Sequence, residues 1–485
     1  MLPLPSLVDD AERPIYRQLF EHIRNCIETG ILRAGDKLPA TRELAGQLGL
    51  NRATVQTAYD RLESRGLIEG QVGRGSFVCS TDPKGIDWAK LLPPLAARTP
   101  VPDAEISFAA SRPSELLFPM EEFRATCAEV IESAEAQTIL QLGAPEGYAP
   151  LRRYLLERGR QEGIVREGDD LLITSGCQQG FDLLQHVLAR NGETVLIEDP
   201  VYAGLRSVFS RGNARVIGIP VTGGGMDIDE VERVLGREKA RMLVVTPSFQ
   251  NPTGTTLPLE QRRRLLQLAH QAGLILVEND IYGDLVYEGS PEPTLRQMDP
   301  SADVVLLRSY SKLAFPGLRV GWVMGPARLM AHLAEAKQAS DLHTDHLAQA
   351  VLFRFAESGR LQAHWERVVE AGRERLRAAV RACEAHLPEG TRFTRPRGGM
   401  NLWVTLPEPL DAAELLPRAV REGVNYMPGR HFAVSRTEPG ALRLSFAQLS
   451  PENITVGIAR LGRLFGTALA SAREEARQDP APALV

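Results

Sequence analysis

Apolar residues recur at helical spacing through the first third of the N-terminal hundred residues. Ile15, Leu19, Phe20, Ile23, Cys26 and Ile27 share one face of a helix from Pro14 to Thr29, which Gly30 ends. A second helix starts at Thr41, turns Leu44, Ala45 and Leu48 inward, and stops at Gly49. Asn51 stands where a side-chain cap belongs, before a third helix that buries Val55, Ala58, Tyr59 and Leu62. Two short strands follow, Leu67 to Gly70 and Ser76 to Val78, joined by a turn containing Gly73, Arg74 and Gly75.

Between residues 80 and 103 the periodicity fails. Pro83, Pro93, Pro94, Pro100 and Pro102 favour extended chain, which predicts an interdomain linker. Beyond it, short apolar runs alternate with helical segments. Strands are predicted at Asp170 to Thr174, Thr194 to Glu198, Ala214 to Ile219, Met242 to Thr246, Leu274 to Glu278 and Val304 to Arg308. Helices are predicted between several of them, as at Gln179 to Arg190 and Leu259 to Gln271. This alternation predicts an α/β domain over 104–467 with a mainly parallel sheet, which binds ligands at the carboxyl ends of its strands. A tail, 468–485, is expected to fray.

Composition adds exclusions. At 485 residues the chain is long enough for two or more domains, and 43% hydrophobic with 24% charged residues is ordinary for a globular protein. No apolar run approaches membrane-spanning length and no signal peptide is evident, so a cytoplasmic protein without membrane contact is expected. Five scattered cysteines without a CxxC pair argue against a disulfide framework and against a metal site. The net charge is −5, and residues 1–80 hold ten basic and ten acidic side chains, so any affinity for nucleic acid must come from pattern rather than bulk charge.

That pattern is present. Helix, short turn, helix and glycine-tipped hairpin is the layout of a winged helix-turn-helix over 12–79, which offers its third helix to a major groove. Asn51, Arg52, Thr54 and Gln56 stand on the first turn of that helix, while Arg42 and Arg74 suit phosphates and Gly73 permits close approach. A protein-contact module with a solvated polar face is the competing reading of the same layout.

In the large domain, Ser309-Tyr310-Ser311-Lys312 follows a buried strand and precedes Arg319. The lysine amine suits a Schiff base with a carbonyl cofactor, and Ser309, Ser311 and Arg319 suit that cofactor's phosphate. Four other strand-end loops carry Cys177-Gln178, Tyr202, Asn251, and Asp280 with Tyr282. The last pair lies two residues apart, which places both on one side of an extended segment.

Leu38-Pro39-Ala40-Thr41-Arg42-Glu43-Leu44-Ala45, Asn51-Arg52-Ala53-Thr54-Val55 and Gly73-Arg74-Gly75-Ser76-Phe77-Val78 resemble the DNA-binding domain of GntR-type bacterial regulators. The strand-end loops, with Gly147-Tyr148, Leu151-Arg152 and Arg443-Leu444-Ser445-Phe446, resemble a fold-type I aminotransferase, a pyridoxal 5'-phosphate (PLP) protein. The fusion of the two resembles the MocR group of regulators. The resemblance implies that Lys312 forms the internal aldimine, Asp280 meets the pyridine nitrogen, Asn251 and Tyr282 bind the ring oxygen, and Tyr202 stacks on the ring. It also implies that Cys177, Gln178, Ser309, Ser311 and Arg319 hold the phosphate, and that Arg443, with Arg430 as a second candidate, takes an effector's acidic group. The implied protein is a homodimeric, PLP-dependent transcriptional regulator that binds an operator and senses an amine or amino-acid-like effector through an external aldimine. The rival expectation is an active class I/II aminotransferase carrying a DNA-binding domain.

Overall fold

The computed structural model describes residues 2–5, 13–71, 74–79, 92, 102–189, 192–299, 301 and 303–478. The chain divides into two compact units, Met1–Thr99 and Pro100–Val485.

In the first unit, α1 (Ile15–Glu28), α2 (Thr41–Leu48) and α3 (Arg52–Ser64) pack around Leu19, Ile23, Leu44, Val55 and Leu62, all of which are buried. Each such apolar side chain removed from water contributes roughly 1.5–3 kcal/mol, so this small core rests on its helix stripes. Gly49 takes a left-handed conformation at φ 66°, which turns the chain sharply between α2 and α3. The Asn51 side chain accepts from the Ala53 amide at 3.0 Å, the cap expected from the sequence. The wing is an antiparallel hairpin of β1 (Ile68–Gln71) and β2 (Gly75–Val78), and a bridge from Lys37 to Phe77 ties it to the segment before α2. Gly73 lies outside the described residues, as does most of the segment read as a linker.

The second unit is built on an eight-stranded sheet. Its strands are β3 (Asp169–Thr174), β4 (Thr194–Asp199), β5 (Arg215–Thr222), β6 (Gly225–Met226), β7 (Ala240–Val245), β8 (Ile275–Asn279), β9 (Val305–Ser309) and β10 (Gly321–Pro326), in spatial order β3-β10-β9-β8-β7-β4-β5-β6. The run β9-β8-β7-β4-β5 is parallel throughout. Only β10, antiparallel to both β9 and β3, and the short β6 run against the rest. Apolar helices cover both faces: α4 (Cys177–Leu188) and α5 (Ala203–Arg211) on one, and α6 (Leu259–Ala272) on the other. Strand alternation sorts β8 accordingly, with Val277 in the α4 layer and Leu276 in the α6 layer.

A smaller four-stranded sheet follows, β11 (Arg392–Phe393), β12 (Asn401–Thr405), β13 (Met427–Pro428) and β14 (Ala441–Ser445), ordered β11-β12-β14-β13. The last helix, Pro451–Gln478, runs well into the tail expected to fray from 468, because Ala468 and Leu469 are buried against the same core. Residues 479–485 lie outside the described residues. No helix among the described residues is long and apolar enough to cross a membrane.

Candidate functional site

A cavity of about 300 Å³ opens where β7, β8 and β9 end and α4 begins. Lys312 reaches it from a tight 3-10 turn, Tyr310–Lys312, directly after β9. The turn is anchored by Tyr310, buried edge-on against Trp322 with ring centroids 4.9 Å apart. The Lys312 amine donates to the Ser111 carbonyl at 2.7 Å and lies 5.7 Å from the Tyr282 ring centroid.

One pole of the cavity gathers a helix N-terminus, a guanidinium and two hydroxyls. Gly176, at φ 80°, delivers the N-terminus of α4, where the Cys177 and Gln178 amides begin the helix. A Cβ at Gly176 would fall 2.3 Å from Arg319 Nη2, so only glycine leaves room for that guanidinium. Arg319 is itself left-handed at φ 55° and donates to the Ser175 carbonyl at 3.1 Å. Ser309 and Ser311 complete this pole, their hydroxyls 2.7 Å apart. Burial pushes the Cys177 thiol up to about 12, so it stays protonated and lends the site its amide rather than a thiolate.

Asn251 and Tyr282 form the next wall, joined by a 3.2 Å hydrogen bond from the Asn251 amide to the Tyr282 hydroxyl. Gln250 fixes this turn by donating to the Pro200 carbonyl at 2.9 Å and accepting from the Thr253 amide at 3.0 Å. Tyr202 lines the cavity beside them. Arg443, in β14, donates from Nη1 to Asn251 Oδ1 at 3.0 Å and from Nη2 to the Ala109 carbonyl. Its guanidinium is buried, its Nε lacks a partner, and no carboxylate among the described residues pairs with it. Burial lowers its pKa to about 10, still cationic at neutral pH. A buried cation without a carboxylate partner thus shares the cavity with the Lys312 amine.

Two of the residues expected at this site do not line the cavity. Asp280 does not line this cavity; its carboxylate accepts from Arg308 Nε at 2.7 Å and faces a separate pocket shared with Glu162 and Gly283. The two-residue rule placed it with Tyr282, but β8 ends at Asn279 and the chain bends through Ile281 and Tyr282. Asn279 is the residue that lines the cavity, three positions before Tyr282. Arg430 is also elsewhere: it is exposed on the turn Gly429–His431, 3.7 Å from Asp411.

Sequence reasoning missed Ser111, which lies in an irregular segment with no periodic signal. It also missed Gln250 and Asp199. The Asp199 carboxylate accepts from the Val434 and Ser435 amides, both at 2.9 Å, and pins the loop that leads to β14. No cluster of three or more His, Cys, Asp or Glu suited to a metal ion occurs among the described residues.

In the first unit, Arg42, Asn51, Arg52, Gln56 and Arg74 are exposed and Thr54 is partly so. No carboxylate among the described residues pairs with Arg42, Arg52 or Arg74, whereas Gln56 is engaged with Asp60 at 2.8 Å. The first turn of α3 therefore presents donors and a cation to a partner.

Comparison with known proteins accounts for both units. Residues 113–461 match the class I and II aminotransferases, and residues 15–78 match the gntR family of bacterial regulatory proteins. The 2-aminoadipate transaminase of Thermus thermophilus is 38% identical over 368 residues, covering 75% of this chain and 91% of that protein. The probable rhizopine catabolism regulatory protein MocR of Rhizobium meliloti is 28% identical over 479 residues, covering 94% of both. Among solved structures, Thermus thermophilus LysN, an alpha-aminoadipate aminotransferase complexed with N-(5'-phosphopyridoxyl)-L-leucine, superposes with a TM-score of 0.71 at 38% identity, covering 76% of this chain and 94% of that one.

The cofactor of the large unit is pyridoxal 5'-phosphate. The residues fit it: a cradle at Gly176 that any Cβ would fill, an amine at Lys312, and buried polar atoms on Asn279 and Arg443 that lack protein partners. When bound, PLP supplies an electrophilic carbon for amines and an electron sink behind it. The chain belongs to the class I and II aminotransferases and carries a gntR-family DNA-binding domain before them, the arrangement of the MocR-type regulators.

Proposed function

We propose that this chain is a ligand-responsive transcription factor whose large unit senses an amine bearing an acidic group. The observation that carries the reading is Arg443, a buried guanidinium without a carboxylate, in the same cavity as Lys312. With the cofactor bound, an effector's amine would take the place of Lys312 Nζ at its carbonyl carbon, one C–N bond forming as another breaks. The proton shed by the incoming ammonium passes to the departing lysine, and nothing is oxidised or reduced. Meanwhile the effector's carboxylate, or an equivalent acid, pairs with Arg443. Lys312 is then free of the cofactor, and the domain arrangement that favours this state changes operator affinity by the coupling free energy between the sites.

The reading includes a homodimer, for which the exposed side chains of Leu116, Leu140 and Leu142 are candidate contacts. It also includes contact of Arg42, Asn51, Arg52, Thr54, Gln56, Gly73 and Arg74 with operator DNA in the bacterial cytoplasm. An active aminotransferase remains the rival, and the 38% identity to a transaminase favours it. Lys312→Ala protein decides between sensing and mere DNA binding. It should lose the lysine-linked absorbance band and the effector response while still binding DNA. Normal effector-dependent regulation by Lys312→Ala would sink the proposal, and steady turnover of wild type with a 2-oxo acid would favour the rival.

A further inference from the structure

We propose that the ring nitrogen of the cofactor is left unprotonated in this chain, because the residue that meets it is the uncharged amide of Asn279. The inference deepens the sensor reading and rests on it. In PLP the nitrogen lies across the ring from the carbonyl carbon, with the ring oxygen and the phosphate arm flanking that carbon. Lys312 claims the carbonyl, Asn251 and Tyr282 the oxygen side, and Ser309, Ser311 and Arg319 the phosphate side. The nitrogen therefore points to the remaining polar wall, where Thr246 and Asn279 stand at the ends of β7 and β8.

There the Asn279 amide nitrogen donates to Thr246 Oγ1 at 3.0 Å, and Asn279 Oδ1 is buried without a partner. Thr246 also hydrogen-bonds the Glu198 carboxyl, which burial keeps protonated at neutral pH and thus able to donate. With Glu198 donating to Thr246 and Thr246 donating to Asn279 Oδ1, the amide turns over and offers its NH₂ to a neutral ring nitrogen.

The charge balance points the same way. The cavity is lined by three cations, Lys312, Arg319 and Arg443, and by no Asp or Glu. Both carboxylates that flank Asn279 in the chain are committed elsewhere: Asp280 to Arg308, which also binds Glu162 at 2.6 Å, and Glu278 to the Leu295 and Arg296 amides at 2.8 and 2.9 Å. With Lys312 joined to the cofactor and Arg319 matched by its phosphate, Arg443 is the lining cation left without a counter-charge, and no lining carboxylate would stabilise a protonated ring nitrogen. A neutral ring remains electrophilic at its carbonyl carbon, so amines still exchange there. It is a weaker sink for the electron pair released when a Cα proton leaves, which is the step that transamination needs and sensing does not. Asn279 is thus a positioning and tuning residue that holds the site at recognition.

The test uses full-length protein loaded with ¹⁵N-labelled PLP, as wild type and as Asn279→Asp. The ¹⁵N resonance separates protonated from unprotonated ring nitrogen without any turnover. Wild type should read unprotonated at neutral pH, and Asn279→Asp should read protonated. On adding an amino acid, Asn279→Asp should convert the cofactor to its amine form roughly a hundredfold faster than wild type, the scale of one preorganised electrostatic contact. A protonated nitrogen in wild type that retains its cofactor would overturn this inference and leave the sensor reading standing. Failure of wild type to retain PLP at all would sink the sensor reading, and this inference with it.

Discussion

Gly176→Ala probes the phosphate cradle with one methyl group. The new Cβ would lie 2.3 Å from Arg319 Nη2 and 2.9 Å from its Cζ, so the guanidinium must withdraw. Position 176 also sits at φ 80°, where an L-residue is strained by roughly 1–2 kcal/mol. A hydrogen bond to a charged group contributes about 1.5–3 kcal/mol. Loss of the Arg319 contact alone therefore predicts PLP affinity weaker by roughly tenfold to a hundredfold. Absorbance titration of apo-protein with PLP measures this directly. The cause is isolated by repeating the substitution in an Arg319→Ala background, where the methyl group has no guanidinium to displace and should cost little further affinity. The reasoning is refuted if Gly176→Ala binds PLP within about twofold of wild type, or if the two substitutions simply add.

Other consequences follow from buried charge. Burial pushes Glu198 up to about 8, against an ordinary value near 4.3, so it is neutral in the folded protein at pH 7 while the unfolded chain has released its proton. Its contribution to stability is lost progressively as pH rises from about 4.5 to about 8. Glu198→Gln should remove that part of the decline, so the gap in melting temperature between mutant and wild type widens over this window and is constant above it. Arg443→Met should weaken a carboxylate-bearing effector by roughly thirtyfold or more while sparing an amine without the acid, read by absorbance titration. The same change should raise the melting temperature of the apo-protein, since an unpaired buried cation is removed. Arg74→Ala should weaken binding evenly across DNA sequences and reduce the slope of log affinity against log salt by about one, measured by fluorescence anisotropy.

Much of this molecule is legible in its sequence, and the exceptions have physical causes. The parallel strands are continuous apolar runs because both faces are covered, so Val305–Leu307 and Met242–Val245 stand out. The α3 cap and the Gly49 turn are local chemistry and are equally readable. The antiparallel β10 has no marker of its own direction, since sheet order is set by packing far along the chain. Choosing between Asn279 and Asp280 required knowing where β8 stops, and a one-residue error there reverses which side chain enters the site. The partner of Asp280, Arg308, is visible only once β9 lies beside β8. Ser111 and Arg443 meet around the cavity across more than three hundred residues, a closure no local pattern encodes.

The central claim is that cofactor chemistry at Lys312 and DNA binding by the first unit are coupled. The most direct measurement titrates PLP-loaded protein with amines, amino acids and amino-sulfonates while following the cofactor absorbance and the affinity for a DNA fragment selected by the protein from a random pool. The account predicts that one compound shifts the absorbance and the DNA affinity with the same midpoint, and that both responses vanish in Lys312→Ala. An absorbance shift that leaves DNA affinity unchanged for every compound would contradict it.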